Sequence, residues 1–513
     1  MTLRARRTDR DGIFSGNRAE RAIIDIGSNT VRMVIYGGSP RAPTILFNEK
    51  VTAQLGRDIA RTGRLADDAI DLAMRGLNRY ALLLRDLGVE DIETVATAAS
   101  RDAENGAEFI EQVVALGLNP RVISGEQEAE ISAAGVLGAF PGARGVVADL
   151  GGGSLELVNV ADGKCGTPTS MRLGTLRLPD YRGSDLAAMK AKLVSELGKN
   201  GWGKAIDAPL YLVGGTWRAI AVVAMEGRDY PLTDPHGFRL SDKGAVKLAR
   251  KIANSQPEDL RGSPRVSTMR SEIMPDAAVL LQALLKALKP KDVIFSSWGL
   301  REGLLFSRLS SHAKSQDPLL AGLANFAAQR GAPPVLATRV AGWTSEAVPS
   351  QRQGSERLRL AASMLSLASM QTEPNLRVHQ AVDWALHKRW ISLSPDGRAM
   401  LAAAACANGN HLTLPVELMK LASEDALEEA ICWGLATRLA RRLGGKSRRS
   451  LQVSRLTRDT GQLTLHLQHS HRHLFGVPNE KDMLLLSARL GTDFDVRIVP
   501  DDELLWDDDA VAG

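Results

Sequence analysis

Two stretches of this chain repeat one pattern, and the repeat restricts the folds open to it more than any other feature. Ala22-Ile23-Ile24-Asp25-Ile26 runs into Gly27-Ser28-Asn29-Thr30 and then into a second apolar run, Val31-Arg32-Met33-Val34-Ile35-Tyr36. Gly145-Val146-Val147-Ala148-Asp149-Leu150 runs into Gly151-Gly152-Gly153-Ser154 and then into Leu155-Glu156-Leu157-Val158-Asn159-Val160. Each reads as strand, tight turn and return strand. Matching hairpins so far apart indicate duplication at the scale of a lobe. The chain has 513 residues, a length that suggests roughly three or four domains.

The loops also carry chemistry. Glycine has no Cβ, so its backbone comes close to an anion and takes up positive φ. Successive amides in such a turn point into one concavity and bind phosphate oxygens. Gly27, Ser28, Asn29 and Thr30, and in the second loop Gly151, Gly152, Gly153 and Ser154, are therefore candidate phosphate ligands. Asp25 and Asp149 stand beside them. A carboxylate next to phosphate repels it unless a cation lies between, which points to a divalent metal, most simply Mg2+. Either loop alone reads equally as an Asx-type turn; the second copy, with matching flanks, favours phosphate.

Between the hairpins the pattern predicts a helix over 67–87, a strand over 92–98, a loop at Ser100-Arg101-Asp102, a helix over 105–116, a short strand over 121–123 and a helix over 126–139. Pro141-Gly142 breaks the last. Beyond the second hairpin, strand 210–213 leads into Gly214-Gly215-Thr216. Helix 274–288 and strand 293–296 lead to Trp298-Gly299-Leu300-Arg301-Glu302-Gly303. Residues 316–445 are rich in Ala and Leu at helical spacing. Strands return at 462–468 and 495–499, and the chain turns acidic from Asp501. The expected organisation is a flexible tail over 1–20, lobes over 21–140 and 141–312, a helical domain over 313–445 and a small α+β domain over 446–513.

At these residues the sequence resembles the exopolyphosphatase / guanosine pentaphosphate phosphatase family. The resemblance rests on Ile24-Asp25-Ile26-Gly27-Ser28-Asn29-Thr30, Ser124-Gly125-Glu126-Gln127-Glu128-Ala129, Asp149–Ser154, Gly214-Gly215-Thr216 and Gly299–Gly303, in that order over about residues 20–310. It implies the α/β fold of the actin/Hsp70/sugar-kinase superfamily: two ribonuclease-H-like (actin-like) lobes with the active site between them. It also implies that water attacks a terminal phosphoanhydride phosphorus with Mg2+ present. Glu128 takes the place of the family's base and Arg101 that of a phosphate-contacting arginine. Glu156 corresponds to a candidate metal ligand with Asp25 and Asp149. Gly214, Gly215 and Arg301 line the cleft. Gln127 stands where many members have Glu, and Glu126 is a second candidate for the base. Glu128 falls in the first turn of a helix, whose dipole stabilises the ionised carboxylate and makes it a weak base. Without the resemblance, Glu126, Glu128 and Glu130 read as ordinary helix-start acids.

Relatives of this length carry an all-α domain of the His-Asp metal phosphohydrolase type. No His-Asp pair occurs in this sequence, so the domain is expected to lack the metal dyad. His379 and His387 read as ordinary, and His466, His469, His471 and His473 as exposed. Arg441, Arg442, Lys446, Arg448 and Arg449 form the densest basic run, which reads either as a solvated linker or as a track for inorganic polyphosphate. Aromatics are only 4%, against a base-stacking platform for nucleic acid. No stretch is long and apolar enough to span a membrane. Three scattered cysteines, Cys165, Cys406 and Cys432, fit a reducing compartment, so a cytoplasmic enzyme is expected. The resemblance adds a homodimer. The functions to separate are an exopolyphosphatase, a guanosine pentaphosphate (pppGpp) 5′-phosphatase with (p)ppGpp as substrate or inhibitor, and a phosphate- or nucleotide-sensing module with little turnover.

Overall fold

In the computed structural model the strand β1 (Arg21–Ile26) and its return strand β2 (Val31–Ser39) pair in register, with Asp25 opposite Arg32. The described residues are 19–445, 447–503 and 505–506. Lys446 and nearly all of the tail expected over 1–20 lie outside them. The chain divides into two compact units at Pro318 and Leu319.

In the N-terminal unit, β3 (Ala42–Val51), β4 (Asp91–Ala96) and β5 (Pro120–Val122) complete a sheet in the order β3-β2-β1-β4-β5. β1, β4 and β5 run parallel, and β2 and β3 are antiparallel to their neighbours. The helices α1 (Asp67–Asp86), α2 (Ala98–Asp102) and α3 (Gly106–Ala115) follow the chain between them. α4 (Gly125–Ala139) then leads into the second sheet. That sheet is built from β6 (Gly145–Leu150), β7 (Leu155–Ala161), β8 (Lys164–Cys165), β9 (Thr169–Met171), β10 (Leu210–Val213), β11 (Arg239–Ser241) and β12 (Asp292–Ser296). Its order is β11-β12-β10-β6-β7-β8, with β9 also on β7. The run β9-β7-β6-β10-β12 repeats β3-β2-β1-β4-β5 strand for strand, so the repeated hairpin heads a repeated sheet.

Alternation along a strand decides which way the aspartates face. Ile24 and Ile26 enter the core beneath α1 and α3. Ile23, and so Asp25, face the other way, where Leu304 and Leu305 of α9 (Leu300–Ser307) pack. In the second sheet Val147, and so Asp149, share the face that packs against Ala133 and Val136 of α4. The two helices are exchanged: α4 follows the first sheet but packs on the second, and α9 follows the second but packs on the first. They touch through glycines. A Cβ on Gly303 would stand 1.8 Å from the Ile131 carbonyl oxygen, so the Gly299–Gly303 motif is a close helix crossing.

Three features depart from the sequence reading. β3 was not foreseen; it is an edge strand with no fully buried residue, whose exposed positions mix Ile45 and Phe47 with Asn48 and Lys50, so it has no clean alternation. The predicted loop around Arg101 is the short helix α2. The helix predicted over 274–288 is α8 (Thr268–Leu288), which runs through Pro275 because Ser271, Met274 and Ala278 on either side of it are fully buried. Upstream lie α5 (Leu186–Lys199), α6 (Gly215–Glu226) and α7 (Asp242–Ala253).

The C-terminal unit contains α10 (Pro334–Ser345), α11 (Ser355–Ala368), α12 (Arg377–His387), α13 (Pro395–Asn408) and α14 (Glu424–Gly444). β13 (Ser454–Asp459), β14 (Gln462–Gln468) and β15 (Asp493–Val499) form a small sheet beside α15 (Val477–Leu490). Trp343 and Trp433 are buried there, with the guanidinium of Arg359 held on the carbonyls of Thr344 and Val348. Among the described residues no helix is long and apolar enough to cross a membrane.

Candidate active site

The two glycine loops are built alike. The amide of Gly27 donates to the Thr30 carbonyl at 3.1 Å, and that of Gly151 to the Ser154 carbonyl at 3.0 Å. The amides of Ser28, Asn29, Gly152 and Gly153 make no backbone hydrogen bond among the described residues. The loops also touch each other. A Cβ on Gly153 would lie 2.9 Å from both the Ala98 Cβ and the Ser28 Oγ, so only glycine lets the second loop approach the first.

Together they wall a cavity of about 180 Å3. Its lining contains every residue of both loops, Asp25, Glu128, Asp149, Gly214, Gly215 and Arg301. Two predicted members are not in the wall. Glu156 is 1% exposed and accepts a hydrogen bond from Ser170 Oγ at 2.9 Å. It pairs with Asp149 across β6 and β7, so the two carboxylates share one face of the sheet. Arg101 is committed elsewhere: Nη1 donates to the Ile123 carbonyl at 3.0 Å and Nε to Asp102 Oδ1 at 3.1 Å. Its charge nonetheless lowers the pKa values of Glu128 and Glu156.

The start of α4 separates the three candidate acids. Ser124 Oγ accepts from the Gln127 amide at 3.2 Å, and Gln127 Oε1 accepts from the Ser124 amide at 3.0 Å. Gln127 therefore closes a capping box, a task that Gln and Glu perform alike. Glu126 and Glu130 are exposed, whereas Glu128 is buried and reaches the cavity. Its Oε2 has no hydrogen-bond partner among the described residues. Burial, then the charges of Glu156, Asp149 and Asp25, hold its pKa well above the ordinary carboxylate value. This corrects the expectation of a weak base: desolvation and three neighbouring carboxylates outweigh the partial charge of a helix end.

The other acids respond to the same causes. Burial raises Asp25, opposed chiefly by Arg301, whose Nη1 stands 3.4 Å from its Oδ2. Burial pushes Asp149 up to about 6, although Ser132 Oγ donates to its Oδ2. Burial and Asp149 push Glu156 up to about 8, and its Oε2 also lacks a partner. Such a set of buried, mutually repelling oxygens fits a hard cation. Asp25, Asp149 and Glu156, the candidates named from the sequence, would be the residues to hold one. Among the described residues no three acids, histidines or cysteines are grouped closely enough to form a metal cage by themselves.

The sequence reading did not single out Arg32, Lys50, Arg218 and Arg270, which also line the cavity. Arg32 and Lys50 pair across β2 and β3 and share a face. Burial lowers Arg32 and Arg270, and lowers Lys50 together with the charges of Arg270 and Arg32. Arg32 was findable, because it follows the first loop by two residues as Glu156 follows the second. Lys50 and Arg270 gave no local signal; only the fold brings them to the cavity. In the C-terminal unit, Arg448 and Arg449 are exposed on a short helix, while Arg441 and Arg442 are half-buried.

The model of the Ppx/GppA phosphatase family matches residues 34–312. The chain is 26% identical over 316 residues to Exopolyphosphatase 1 of Mycobacterium leprae (strain TN), covering 57% of this chain and 90% of that protein. It is similar to the solved structure of the Ppx/GppA family member of Aquifex aeolicus, with 27% identity, a TM-score of 0.50, and coverage of 58% of this chain and 98% of that one. An exopolyphosphatase from Cytophaga hutchinsonii, at 22% identity and a TM-score of 0.51, covers 56% of this chain and 96% of its own and shares the fold. The fold is of the actin/Hsp70-like α/β type. The paired hairpins, the glycine loops that meet between their sheets and the match over residues 34–312 lead to one conclusion: the chain belongs to the Ppx/GppA phosphatase family.

Proposed function

We propose that this enzyme removes terminal phosphate from inorganic polyphosphate, using a water molecule deprotonated by Glu128. Its family makes it a hydrolase with activity of the exopolyphosphatase type and a metal-dependent mechanism. One observation carries the finer reading: Glu128 brings to the cavity a buried carboxylate oxygen with no hydrogen-bond partner among the described residues. Raised in pKa, that carboxylate takes a water proton readily once ionised. The water oxygen bonds to the terminal phosphorus, the anhydride P–O bond breaks, and the shortened chain leaves with the bridging oxygen. The loop amides and Arg301 hold the phosphoryl oxygens and oppose their charge. A bound Mg2+, held by Asp25, Asp149 and Glu156, would neutralise further phosphate charge. Arg101 acts on Glu128 through its charge. Arg448 and Arg449 attract the polyanion.

A pppGpp 5′-phosphatase is the second reading. The cations Arg32, Lys50, Arg218 and Arg270 that line the cavity suit it too, since they would hold the linked phosphates of pppGpp as they would those of a polyphosphate chain. The test is orthophosphate release from polyphosphates of several lengths, pppGpp and ATP, each with and without Mg2+. The expected result is fast, Mg2+-dependent release from the long chains. Release from pppGpp alone would replace the first reading by the second. Tight binding without release from any substrate would leave a sensing module.

A further inference from the structure

α14 of the C-terminal unit places Arg438, Arg441 and Arg442 at helical spacings of three and four, on one face, where like charges repel. Two of them have structural work. Arg438 Nε and Arg442 Nη1 both donate to Asp482 Oδ1 on α15, at 2.8 and 3.0 Å. Arg438 Nη1 also donates to the Asn408 carbonyl at 3.2 Å. Arg377, at the start of α12, adds a fourth positive charge and spends its own donors on the neutral carbonyls of Met370 and Thr372. Arg441 has no such work. Its Nε is buried and without a partner among the described residues, and burial with the charges of Arg438, Arg377 and Arg442 pushes it down to about 10. Two guanidinium groups thus share one carboxylate oxygen, and Arg441 and Arg377 add further positive charge beside them. An arginine does not escape by losing its proton, so the excess calls for an anion.

A second observation narrows the anion. Asp482 is 1% exposed, and its other oxygen, Oδ2, has no partner among the described residues. Asn408 Oδ1 is buried and equally unsatisfied. The cluster therefore offers guanidinium donors to an anion and, in the same place, an acceptor that needs a donor. Sulfate, fully deprotonated, answers only the first demand. A singly protonated phosphate answers both: its bare oxygens face the arginines and its P–OH donates to the carboxylate.

We propose that Arg377, Arg438, Arg441, Arg442 and Asp482 form a binding site for one hydrogen-phosphate group. The site stands on residues of the C-terminal unit and does not depend on the reading of the cleft. Free orthophosphate, the product of the proposed reaction, and the terminal group of a polyphosphate chain share this chemistry.

The experiment is calorimetric titration of the full-length protein with inorganic phosphate, sulfate and tripolyphosphate at equal ionic strength, with EDTA to stop turnover. Wild type is compared with R441Q, R377Q and R301Q. Wild type is expected to show an Arg441-dependent phosphate event that vanishes in R441Q, weakens about tenfold in R377Q and persists in R301Q. Sulfate is expected to bind there about tenfold more weakly than phosphate. Competition by tripolyphosphate assigns the site to chain ends, and its absence to the free ion. Wild-type titrations in both R441Q and R377Q would overturn the proposal, as would sulfate binding as well as phosphate. Failure of the cleft reading would appear separately, as no phosphate event sensitive to R301Q.

Discussion

At the scale of single residues, Glu128 is costly to the fold. It is buried among like charges, and one of its oxygens is unsatisfied. A buried carboxylate so perturbed is the kind of group that general acid–base chemistry uses, as proposed for Glu128. Glu128→Gln is therefore expected to lower phosphate release by about 10^2- to 10^4-fold, the usual worth of a general base. The same change removes a repelled charge, so the melting temperature is expected to stay level or rise. A variant that keeps near-normal release would show that another group accepts the proton. A fall in both activity and melting temperature would point to a structural role. The motif alone led to Glu128 from sequence and left Glu126 open as a second candidate. In the structure Gln127 closes the capping box at the start of α4, with Glu128 buried and Glu126 exposed, a difference the sequence did not show. The cations were less legible. Lys50 and Arg270 lie on an edge strand and in the first turn of a helix, and neither position announces a ligand.

At the scale of elements, the hairpins were legible because each is local: its strands, its turn and its aspartate are contiguous. The exchange of α4 and α9 was not, because it depends on which sheet each helix packs against. Its trace in the sequence was the pair Gly299 and Gly303, read as a cleft motif. The structure gives Gly303 a mechanical reason, the close crossing with α4 at Ile131 and Gly135, whereas a Cβ on Gly299 would meet Val213 of β10. Gly303→Ala is expected to force the helices apart, since its Cβ meets the Ile131 carbonyl and not a flexible side chain. Overpacking of this kind costs about 1–3 kcal/mol. α4 carries Glu128 and α9 carries Arg301, so activity should fall along with the melting temperature. The check is a pair of measurements, thermal unfolding and phosphate release. A variant with wild-type values of both would mean that the crossing relaxes freely and does not set the site.

At the scale of the whole molecule, the buried carboxylates tie stability to pH and to metal. Asp149 is raised to about 6 and Glu156 to about 8, and Glu128 and Asp25 are raised as well. A carboxyl whose folded pKa exceeds its unfolded one keeps its proton in the native state after the unfolded chain has released it. The native state is thus favoured below the unfolded value and loses that advantage as pH rises through the folded value. The window here runs from the ordinary carboxylate range up to about pH 8. A divalent cation opposes the loss, because it binds the ionised oxygens and displaces their protons. The melting temperature in EDTA should therefore fall across this window. The upward shift on adding Mg2+ should be several degrees near pH 8 and close to nothing near pH 5, as linked binding to the native state requires. Measuring the Mg2+ shift at both pH values, with Ca2+ as a second oxygen-seeking cation, decides the matter. An equal shift at the two pH values would place the metal away from these carboxylates. In the Asp149→Asn variant the pH dependence of the shift should flatten, since one titrating ligand is gone while the loops and the cavity remain.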